Sequence, residues 1–360
     1  MVKNLGEKTV FVGVSGGVDS AVAALLLKQQ GYRVVGVFIR TWTPDFINCT
    51  WRDERRDAMR VCANLGIPFL ECDAEKEYKE GVADYMIEEY KKGRTPNPDV
   101  MCNREVKFGV FWDFAKKKGA DFIATGHYVK NKKENNSYSL EKNPDVGKDQ
   151  VYFLWTLTQE DLSHILFPLG DLKKEEVRKI ALRNNLPNAK KKDSQGVCFL
   201  GPLDMKKFLE NYIQIKNGDV LNEKGQVIGV HKGVVFFTIG ERHGFDIFKE
   251  FKKSKPLYVV KKNIKNNTII VSENSPIFTG QDSKSSTIKC QNVNWINKIP
   301  LENNQYQAQI RYHGELINCL IKNEKQNSIS VIFENSVKVD SGQSIVFYDK
   351  DVCLGGGVIN

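Results

Sequence analysis

The sequence predicts an α/β N-terminal domain with a mostly parallel sheet, a small, largely β central domain and a C-terminal antiparallel β-barrel. In the first 130 residues, short apolar runs alternate with segments of helical periodicity, which is typical of a parallel sheet covered by helices. After about Asn217, short alternating segments are separated by polar turns, which favours small barrels. A length of 360 residues also exceeds one ordinary core. We expect domains over residues 1–205, 206–278 and 279–360.

The predicted elements follow from the spacing of apolar residues. Short apolar runs beside turns predict strands, and apolar residues at helical spacing predict helices. The N-terminal elements are a strand over Thr9–Val14, a helix over Val18–Gln30, a strand over Val34–Ile39, a helix over Arg52–Leu65, a strand over Ile67–Cys72, helices over Glu75–Lys92 and Glu105–Lys118, and a strand over Asp121–Thr125. The later elements are a loop or frayed hairpin over Lys130–Gln150, helices over Thr158–Leu166 and Lys173–Asn185, and strands over Pro256–Val260, Thr268–Ser272, Gln307–Tyr312, Ile317–Ile321, Ser328–Phe333 and Ser344–Tyr348.

Charge and hydropathy limit the partners and the location of the chain. Its formal net charge is +9, from 53 Lys and Arg against 44 Asp and Glu, which is compatible with a polyanionic partner without demonstrating one. No apolar run approaches the roughly 18 residues of a membrane span. The first predicted strand begins within ten residues of Met1, so we expect no targeting peptide. We therefore expect a cytoplasmic protein with no membrane partner.

The cysteines indicate no structural metal site. Eight lie at positions 49, 62, 72, 102, 198, 290, 319 and 353. None forms a CxxC pair, and none lies with histidine at zinc-finger spacing. In a reducing cytosol an isolated cysteine is by default a small buried hydrophobe, so a reactive one must be identified from its neighbours.

The most specific motif lies between the first predicted strand and helix and reads Gly13-Val14-Ser15-Gly16-Gly17-Val18-Asp19-Ser20. Glycines let the main chain approach a phosphate, and a helix N-terminus presents N–H groups to it. The lysine of a Walker A loop is absent. The string resembles the pyrophosphate loop of the N-type ATP pyrophosphatases, which adenylate a substrate oxygen with ATP. The resemblance implies that these residues hold the pyrophosphate, that Mg²⁺ neutralises its charge, and that Gly126 contacts the nucleotide. Ile39 lies where this superfamily often contacts adenine, and it can equally be a plain core residue of the strand.

Cys102 lies in a longer motif, Thr95–Phe108. Two prolines are expected to exclude helix from the start of this segment, so that Cys102 falls near the first helical turn. A helix N-terminus and the neighbouring Arg104 both favour the thiolate, which is the reactive form of cysteine. Asp99 is close enough in sequence to share the site.

Cys198 lies in a second such segment, Asp193–Leu200. Together these strings closely resemble the tRNA-specific 2-thiouridylase family, and the likeness covers most of the chain. The other matching segments are Ala124–Tyr128, Lys148–Gln150, Tyr152–Leu154, Phe237–Arg242, Arg311–Tyr312, Gly342–Gln343 and Cys353–Gly357. Small departures at Val151, Gln195 and Glu241 remove no chemical group that the reaction needs.

The resemblance implies sulfur transfer to the wobble uridine of tRNA, with Cys102, Cys198 and Asp99 as catalytic residues. Adenylation would turn the C2 oxygen into a good leaving group. Cys198 would receive a persulfide from a cysteine desulfurase or a sulfur-relay protein. Its terminal sulfur either attacks C2 directly or is released as sulfide when Cys102 forms a disulfide with Cys198. Asp99 either transfers protons or caps the turn before the helix. The implied tRNA contacts are Asn97, Pro98, Asp99, His127, Lys148, Asp149, Gln150, Arg311, Tyr312 and Gln343.

Three other interpretations remain open. A lysidine or argininosuccinate synthetase would share the phosphate loop but would need no cysteine pair. A thiouridine synthetase for another tRNA position usually carries additional domains or CxxC motifs. A tRNA-binding protein without catalytic activity would show no tRNA-dependent exchange between ATP and pyrophosphate. The sequence does not name the sulfur donor or the tRNAs, and we expect a monomer.

Overall fold

The computed structural model describes residues 8–47, 51–193, 204–251, 255–274, 285–324, 327–337 and 339–360. The strands are β1 Thr9–Gly13, β2 Arg33–Arg40, β3 Phe69–Asp73, β4 Phe122–Ala124, β5 Lys130–Glu134, β6 Ser137–Glu141, β7 Ile165–Leu166, β8 Gly218–Leu221, β9 Val227–His231, β10 Phe245–Ile247, β11 Tyr258–Asn263, β12 Thr268–Ser272, β13 Ser286–Trp295, β14 Gln305–Gln309, β15 Ile317–Asn323, β16 Ser328–Phe333, β17 Ser344–Asp349 and β18 Val352–Ile359. The α-helices are α1 Val18–Gln29, α2 Trp51–Leu65, α3 Glu75–Tyr78, α4 Tyr85–Lys91, α5 Pro98–Cys102, α6 Phe111–Lys117, α7 Gln159–His164, α8 Lys174–Arg183 and α9 Met205–Leu209. Short 3₁₀-helices lie at Val151–Leu154, Val234–Phe236 and Lys249–Phe251.

The N-terminal sheet has the strand order β3-β2-β1-β4-β7, and every neighbouring pair is parallel. Apolar residues fill both sides of the sheet, because β1 and β2 lie between the helices and are buried on both faces. The predicted α/β domain with a parallel sheet is therefore confirmed.

Two of the predicted helices contain a π-helical segment. Lys79–Asp84 joins α3 to α4, and Asn103–Val110 joins α5 to α6. The second helix begins earlier than predicted, because Pro98 is its first residue. The expectation that the prolines keep this segment out of helix is wrong for Pro98. At the first helical position the missing N–H of proline is not needed, and its fixed φ suits the helix.

The middle part of the chain forms a sheet of strand order β10-β9-β8-β12-β11, in which the β8–β12 pair is parallel and the other pairs are antiparallel. The last part forms a closed antiparallel barrel of order β13-β16-β15-β14-β17-β18, because β13 also pairs with β18. The predicted C-terminal barrel is confirmed. Its strands β13 and β18 had no separate sequence prediction.

The polar segment after β4 is a hairpin that joins the N-terminal part to the barrel. Strands β5 and β6 pair with each other, and Leu140 and Glu141 of β6 pair with Cys353 and Val352 of β18. Leu140 and Cys353 are both buried in the large core below the N-terminal sheet. Residues 130–141 therefore extend the barrel sheet.

None of the helices described here is both long and apolar enough to cross a membrane.

Candidate active site

The segment after β1 forms an open turn at the start of α1. Gly16 has φ +73°, and a β-carbon there would lie 2.7 Å from the main-chain oxygen of Glu54. The Ser20 hydroxyl donates to the Gly17 carbonyl at 3.1 Å, and Gly17 precedes α1 without any side-chain cap. The first N–H groups of a helix have no partner within the helix, and they are a suitable site for an anion. The local geometry thus agrees with a phosphate-binding loop.

This loop lies at the point where the strand order of the sheet changes direction. From β1 the chain continues to β2 on one side, and β4 lies on the other side. Ligands of open parallel sheets bind at such a point, beyond the carboxyl ends of the strands. Gly126 follows β4, and a β-carbon there would lie 2.8 Å from the main-chain nitrogen of Ser20. Gly126 therefore lies directly against the start of α1, where no larger residue fits.

Ile39 lies near the end of β2, on the same edge of the sheet. Its side chain is buried, and its Cδ1 would lie 3.7 Å from a β-carbon on Gly13. The predicted adenine contact of Ile39 stays a prediction, because the described contacts are those of a core residue.

Asp19, in the first turn of α1, is held by two side chains from later parts of the chain. The Tyr128 hydroxyl donates to its carboxylate at 2.6 Å, and the Lys174 ammonium donates to both oxygens at 2.7 and 2.8 Å. Burial and the nearby Asp19 charge raise the pKa of Tyr128, so this hydroxyl stays a donor. The phosphate loop is thereby connected to α8, a contact that the sequence does not reveal.

Lys174 also connects the phosphate loop to Asp193, the first residue of the motif that carries Cys198. Its ammonium lies 2.9 Å from Asp193, which also accepts from Lys148 at 2.8 Å and from Arg178 at 2.5 Å. Burial raises the pKa of Asp193, but the bonds from Lys148 and Lys174 outweigh this effect and hold the pKa well below its usual range. Three cations therefore fix the position of Asp193. Cys198 itself lies outside the described residues.

Cys102 is the last residue of α5. Asn97 caps this helix, since its side-chain oxygen accepts from Val100 N at 3.2 Å. The Cys102 side chain is fully buried. The guanidinium of Arg104 donates to Glu105 at 2.7 Å. A reagent therefore reaches the Cys102 thiol only after neighbouring groups move.

An aromatic cluster connects the Cys102 helix to a turn of the barrel. Tyr312, between β14 and β15, lies with its ring centroid 4.4 Å from that of Phe153. The carbonyl of Phe153 accepts from the side chain of Asn103 at 3.1 Å, next to Cys102. Burial, followed by the charges of Asp149 and Asp99, raises the pKa of Tyr312 to about 12. The carboxylates of Asp149 and Asp99 therefore lie close enough to Tyr312 to act on its hydroxyl, and the predicted tRNA contacts of these three residues stay predictions.

Several residues with predicted tRNA contacts instead make contacts within the protein. The Asp149 carboxylate accepts from Asn143 N at 2.9 Å, and burial raises its pKa. The Gln150 side chain accepts from Tyr128 N at 3.0 Å. His127 is buried with Nδ1 2.7 Å from the Thr125 hydroxyl, and burial lowers its pKa well below the usual value. Their contacts with tRNA stay predictions.

Arg311 and Gln343 lie at the barrel face that meets the N-terminal part. The main chain of Arg311 closes the turn that carries Tyr312, by accepting from Gly314 N at 2.8 Å. The main chain of Gln343 accepts from Ile359 N at 2.9 Å. A β-carbon on the preceding Gly342 would lie 3.0 Å from Thr95 N, so this strand start contacts the segment that leads to Cys102.

The continuous helix from Pro98 to Lys117 spans the distance between the cysteine and the phosphate loop. The Phe111 ring would lie 3.6 Å from a β-carbon on Gly13, and Phe108 packs against His127 at 5.7 Å between ring centroids. Cys102 lies six residues before Phe108 and nine before Phe111, in the same continuous helix. One helix therefore connects the Cys102 segment with the glycine-rich turn after β1.

Three family profiles match the chain in succession. A profile described as tRNA methyl transferase HUP domain matches residues 8–202, one described as tRNA methyl transferase PRC-barrel domain matches residues 206–273, and one described as aminomethyltransferase beta-barrel domain matches residues 285–359.

Curated relatives match over almost the whole length. The chain is 43% identical to the tRNA-specific 2-thiouridylase MnmA of Staphylococcus saprophyticus, covering 98% of this chain and 95% of the relative. It is 44% identical to the tRNA-specific 2-thiouridylase MnmA 1 of Geobacillus kaustophilus, covering 98% and 96%. It is 43% identical to the tRNA-specific 2-thiouridylase MnmA 2 of Aliarcobacter butzleri, covering 98% of both.

Proposed function

We infer that this chain, which belongs to the tRNA-specific 2-thiouridylase family, transfers sulfur to C2 of a uridine in tRNA in an ATP-dependent reaction. The full-length similarity to relatives of that name supports the activity. The wobble uridine is the expected target. We expect the target base to leave its stack in the tRNA and to approach the barrel turn around Tyr312, beside Asp99 and the Cys102 helix.

One observation carries the proposal. A single helix carries Cys102 near its start and packs, through Phe111 farther along, against Gly13 of a glycine-rich turn suited to phosphate. An adenylating enzyme without sulfur chemistry, such as a lysidine synthetase, has no need for a cysteine at that distance from its nucleotide. The names of the family profiles mention methyl transfer, but a methyltransferase would not need a pyrophosphate loop.

We propose that ATP activates the uridine first. The C2 oxygen attacks the α-phosphorus, the bond to the β-phosphate breaks, and pyrophosphate leaves. The N–H groups at the start of α1 and the Ser15 and Ser20 hydroxyls would hold the departing pyrophosphate. The oxygen then leaves C2 as part of AMP, a far better leaving group than oxide.

Mg²⁺ fits this site only together with the nucleotide. Among the residues that the structure describes, no group of three or more His, Cys, Asp or Glu side chains could hold a metal ion. Asp19 is the carboxylate of the loop, and both of its oxygens accept from Lys174. Mg²⁺ commonly binds through one or two carboxylates plus substrate phosphates. Asp19 would be its protein ligand, and the ion would neutralise charge on the phosphates.

The sulfur step uses the two motif cysteines. A cysteine desulfurase or a sulfur-relay protein supplies a persulfide on Cys198. In one route the terminal sulfur attacks C2 and expels AMP, and Cys102 then attacks Cys198 to release 2-thiouridine. In the other route Cys102 first displaces sulfide from Cys198, and the sulfide attacks C2. Both routes leave a Cys102–Cys198 disulfide, which an external thiol must reduce. Asp99 is the candidate for moving the N3 proton.

Cysteine variants test this proposal with two separate measurements. Cys102→Ser and Cys198→Ser should each abolish thiolation of tRNA while retaining tRNA-dependent release of pyrophosphate. Cys319→Ala, which changes a buried cysteine in the barrel, is the matched control and should retain both activities. Wild-type thiolation by either motif variant would contradict the assignment.

A further inference from the structure

Asp340 is a buried carboxylate at which all three parts of the chain meet. Its Oδ2 accepts from the Thr95 hydroxyl at 2.7 Å, from the Lys262 ammonium at 2.6 Å and from Ile239 N at 3.2 Å. Asp340 precedes β17 of the barrel, Thr95 precedes the Cys102 helix, and Ile239 and Lys262 belong to the middle sheet region. One oxygen atom therefore holds donors from the other two parts of the chain.

Lys262 completes this junction. Its ammonium also donates to the Gly93 carbonyl at 3.0 Å and to the Phe237 carbonyl at 2.9 Å. The Lys262 and Asp340 side chains are only 7% and 5% exposed. All three ammonium protons thus have acceptors, and two of those acceptors, Gly93 and Asp340, belong to the other two parts of the chain.

The junction is directly connected to the Cys102 helix. Thr95 has a second contact with the barrel, because its N–H donates to the Ser341 carbonyl at 2.8 Å. Pro96 follows, then Asn97 caps α5, and Cys102 ends that helix. A proline and a capped helix leave little freedom between Thr95 and Cys102. A shift at Thr95 therefore moves Asp99 and Cys102 with it.

Stability alone does not explain an ion pair at this place. Apolar residues of similar size often stabilise a fold as well as a buried ion pair or better, whereas an ion pair with many directed bonds fixes orientation. Besides each other, Lys262 and Asp340 bond four atoms, in Gly93 and Thr95 of the N-terminal part and in Phe237 and Ile239 of the middle part. The arrangement suits a junction that sets the position of one segment relative to two others.

We propose that Lys262 and Asp340 are positioning residues for sulfur transfer, because they hold the Thr95–Cys102 segment in register with the barrel that carries Tyr312. The inference rests on the proposed function. In the absence of this junction, uridine activation continues, but Cys102 no longer meets the activated base. ATP use and thiolation then become uncoupled.

The test measures two quantities in Lys262→Met and Asp340→Asn. The first is the amount of 2-thiouridine formed per AMP, which should fall at least fivefold. The second is the rate at which iodoacetamide alkylates Cys102 in the absence of tRNA, measured by mass spectrometry. This rate should rise at least tenfold, because the thiol is fully buried in the wild type. Thr95→Val should act in the same direction, and Thr95→Ser, which retains the hydroxyl, should behave like the wild type.

Two controls separate positioning from loss of stability. Val331→Ala removes packing in the barrel core and should lower the melting temperature without changing either quantity. The double variant Lys262→Met/Asp340→Leu replaces the ion pair with apolar groups, and it should regain thermal stability but not the thiolation yield per AMP.

Three results would overturn the inference: unchanged Cys102 alkylation in the single variants, the same effects in Val331→Ala, or a wild-type yield in the double variant. If the wild type thiolates no tRNA, the proposed function is wrong, and the alkylation comparison still decides whether the junction positions Cys102.

Discussion

Two glycines of the phosphate loop should respond very differently to the same substitution. A β-carbon at Gly16 would lie 2.7 Å from the Glu54 carbonyl and 2.8 Å from Asp57 Cβ, whereas the nearest atom to one at Gly13 is 3.6 Å away. Ordinary van der Waals contact begins at 3.4 Å, so the Gly16 loop must move away from Glu54 by about 0.7 Å. Since Glu54 and Asp57 lie on α2, the loop must move away from that helix.

The expected cost of Gly16→Ala has two parts. Its φ of +73° adds roughly 1–2 kcal/mol for a residue with a side chain. The steric contact adds about 1–3 kcal/mol, as overpacked sites usually do. We therefore predict a loss of roughly 2–5 kcal/mol in the free energy of unfolding, against less than about 1 kcal/mol for Gly13→Ala.

Urea unfolding followed by tryptophan fluorescence measures this difference, because four of the five tryptophans precede residue 156. ATP affinity should also fall at least tenfold in Gly16→Ala, since the loop can no longer keep its position. Equal unfolding free energies for the two alanine variants would refute the reasoning, whatever their activity.

Three further predictions concern single side chains. Lys174→Met should raise KM for ATP about tenfold or more, because the link between the phosphate loop and Asp193 is lost, whereas the exposed Lys179→Met on the same helix should change it less than twofold. The pKa of His127 is lowered in the folded state, so its contribution to stability is complete above the unfolded value near 6.5 and is lost as pH falls, by up to about 1.4 kcal/mol per pH unit. Between pH 7 and 5, thermal unfolding should therefore show a smaller loss of stability in His127→Gln than in the wild type, and equal losses would contradict the account. Tyr312→Ala should lower kcat/KM for tRNA about tenfold, in line with about 1–3 kcal/mol for stacking on a base, while Tyr312→Phe retains the ring and the activity; a similar loss in both variants would exclude a stacking role.

Much of the architecture could be predicted because local patterns determine it. The apolar run Val10–Val12 is buried, and so are the apolar residues at helical spacing in α2, as their periodicity indicates. The main error in the Cys102 segment has a local cause: proline at the first helical position is compatible with helix, so α5 begins at Pro98. Strand β18 was missed because its run of glycines, Gly355–Gly357, is atypical of a strand.

The contacts that organise the site could not be predicted, because they join residues far apart in sequence. Lys174 lies on a helix with alternating charges and shows no motif, yet it bonds Asp19, which precedes it by 155 residues. Asp340 and Lys262 are likewise ordinary charged residues until the fold buries them together. The sequence predicts the phosphate loop and a helix beginning near Cys102, but only the three-dimensional arrangement shows that this helix packs against Gly13 of the loop.

Mass spectrometry of nucleosides tests the central claim most directly. Unmodified tRNA is incubated with the protein, ATP, Mg²⁺ and a sulfide source, digested, and compared with a reaction without ATP. The account predicts 2-thiouridine that forms only when ATP is present. Formation of 4-thiouridine instead, or of AMP without any thiolated nucleoside, would contradict it.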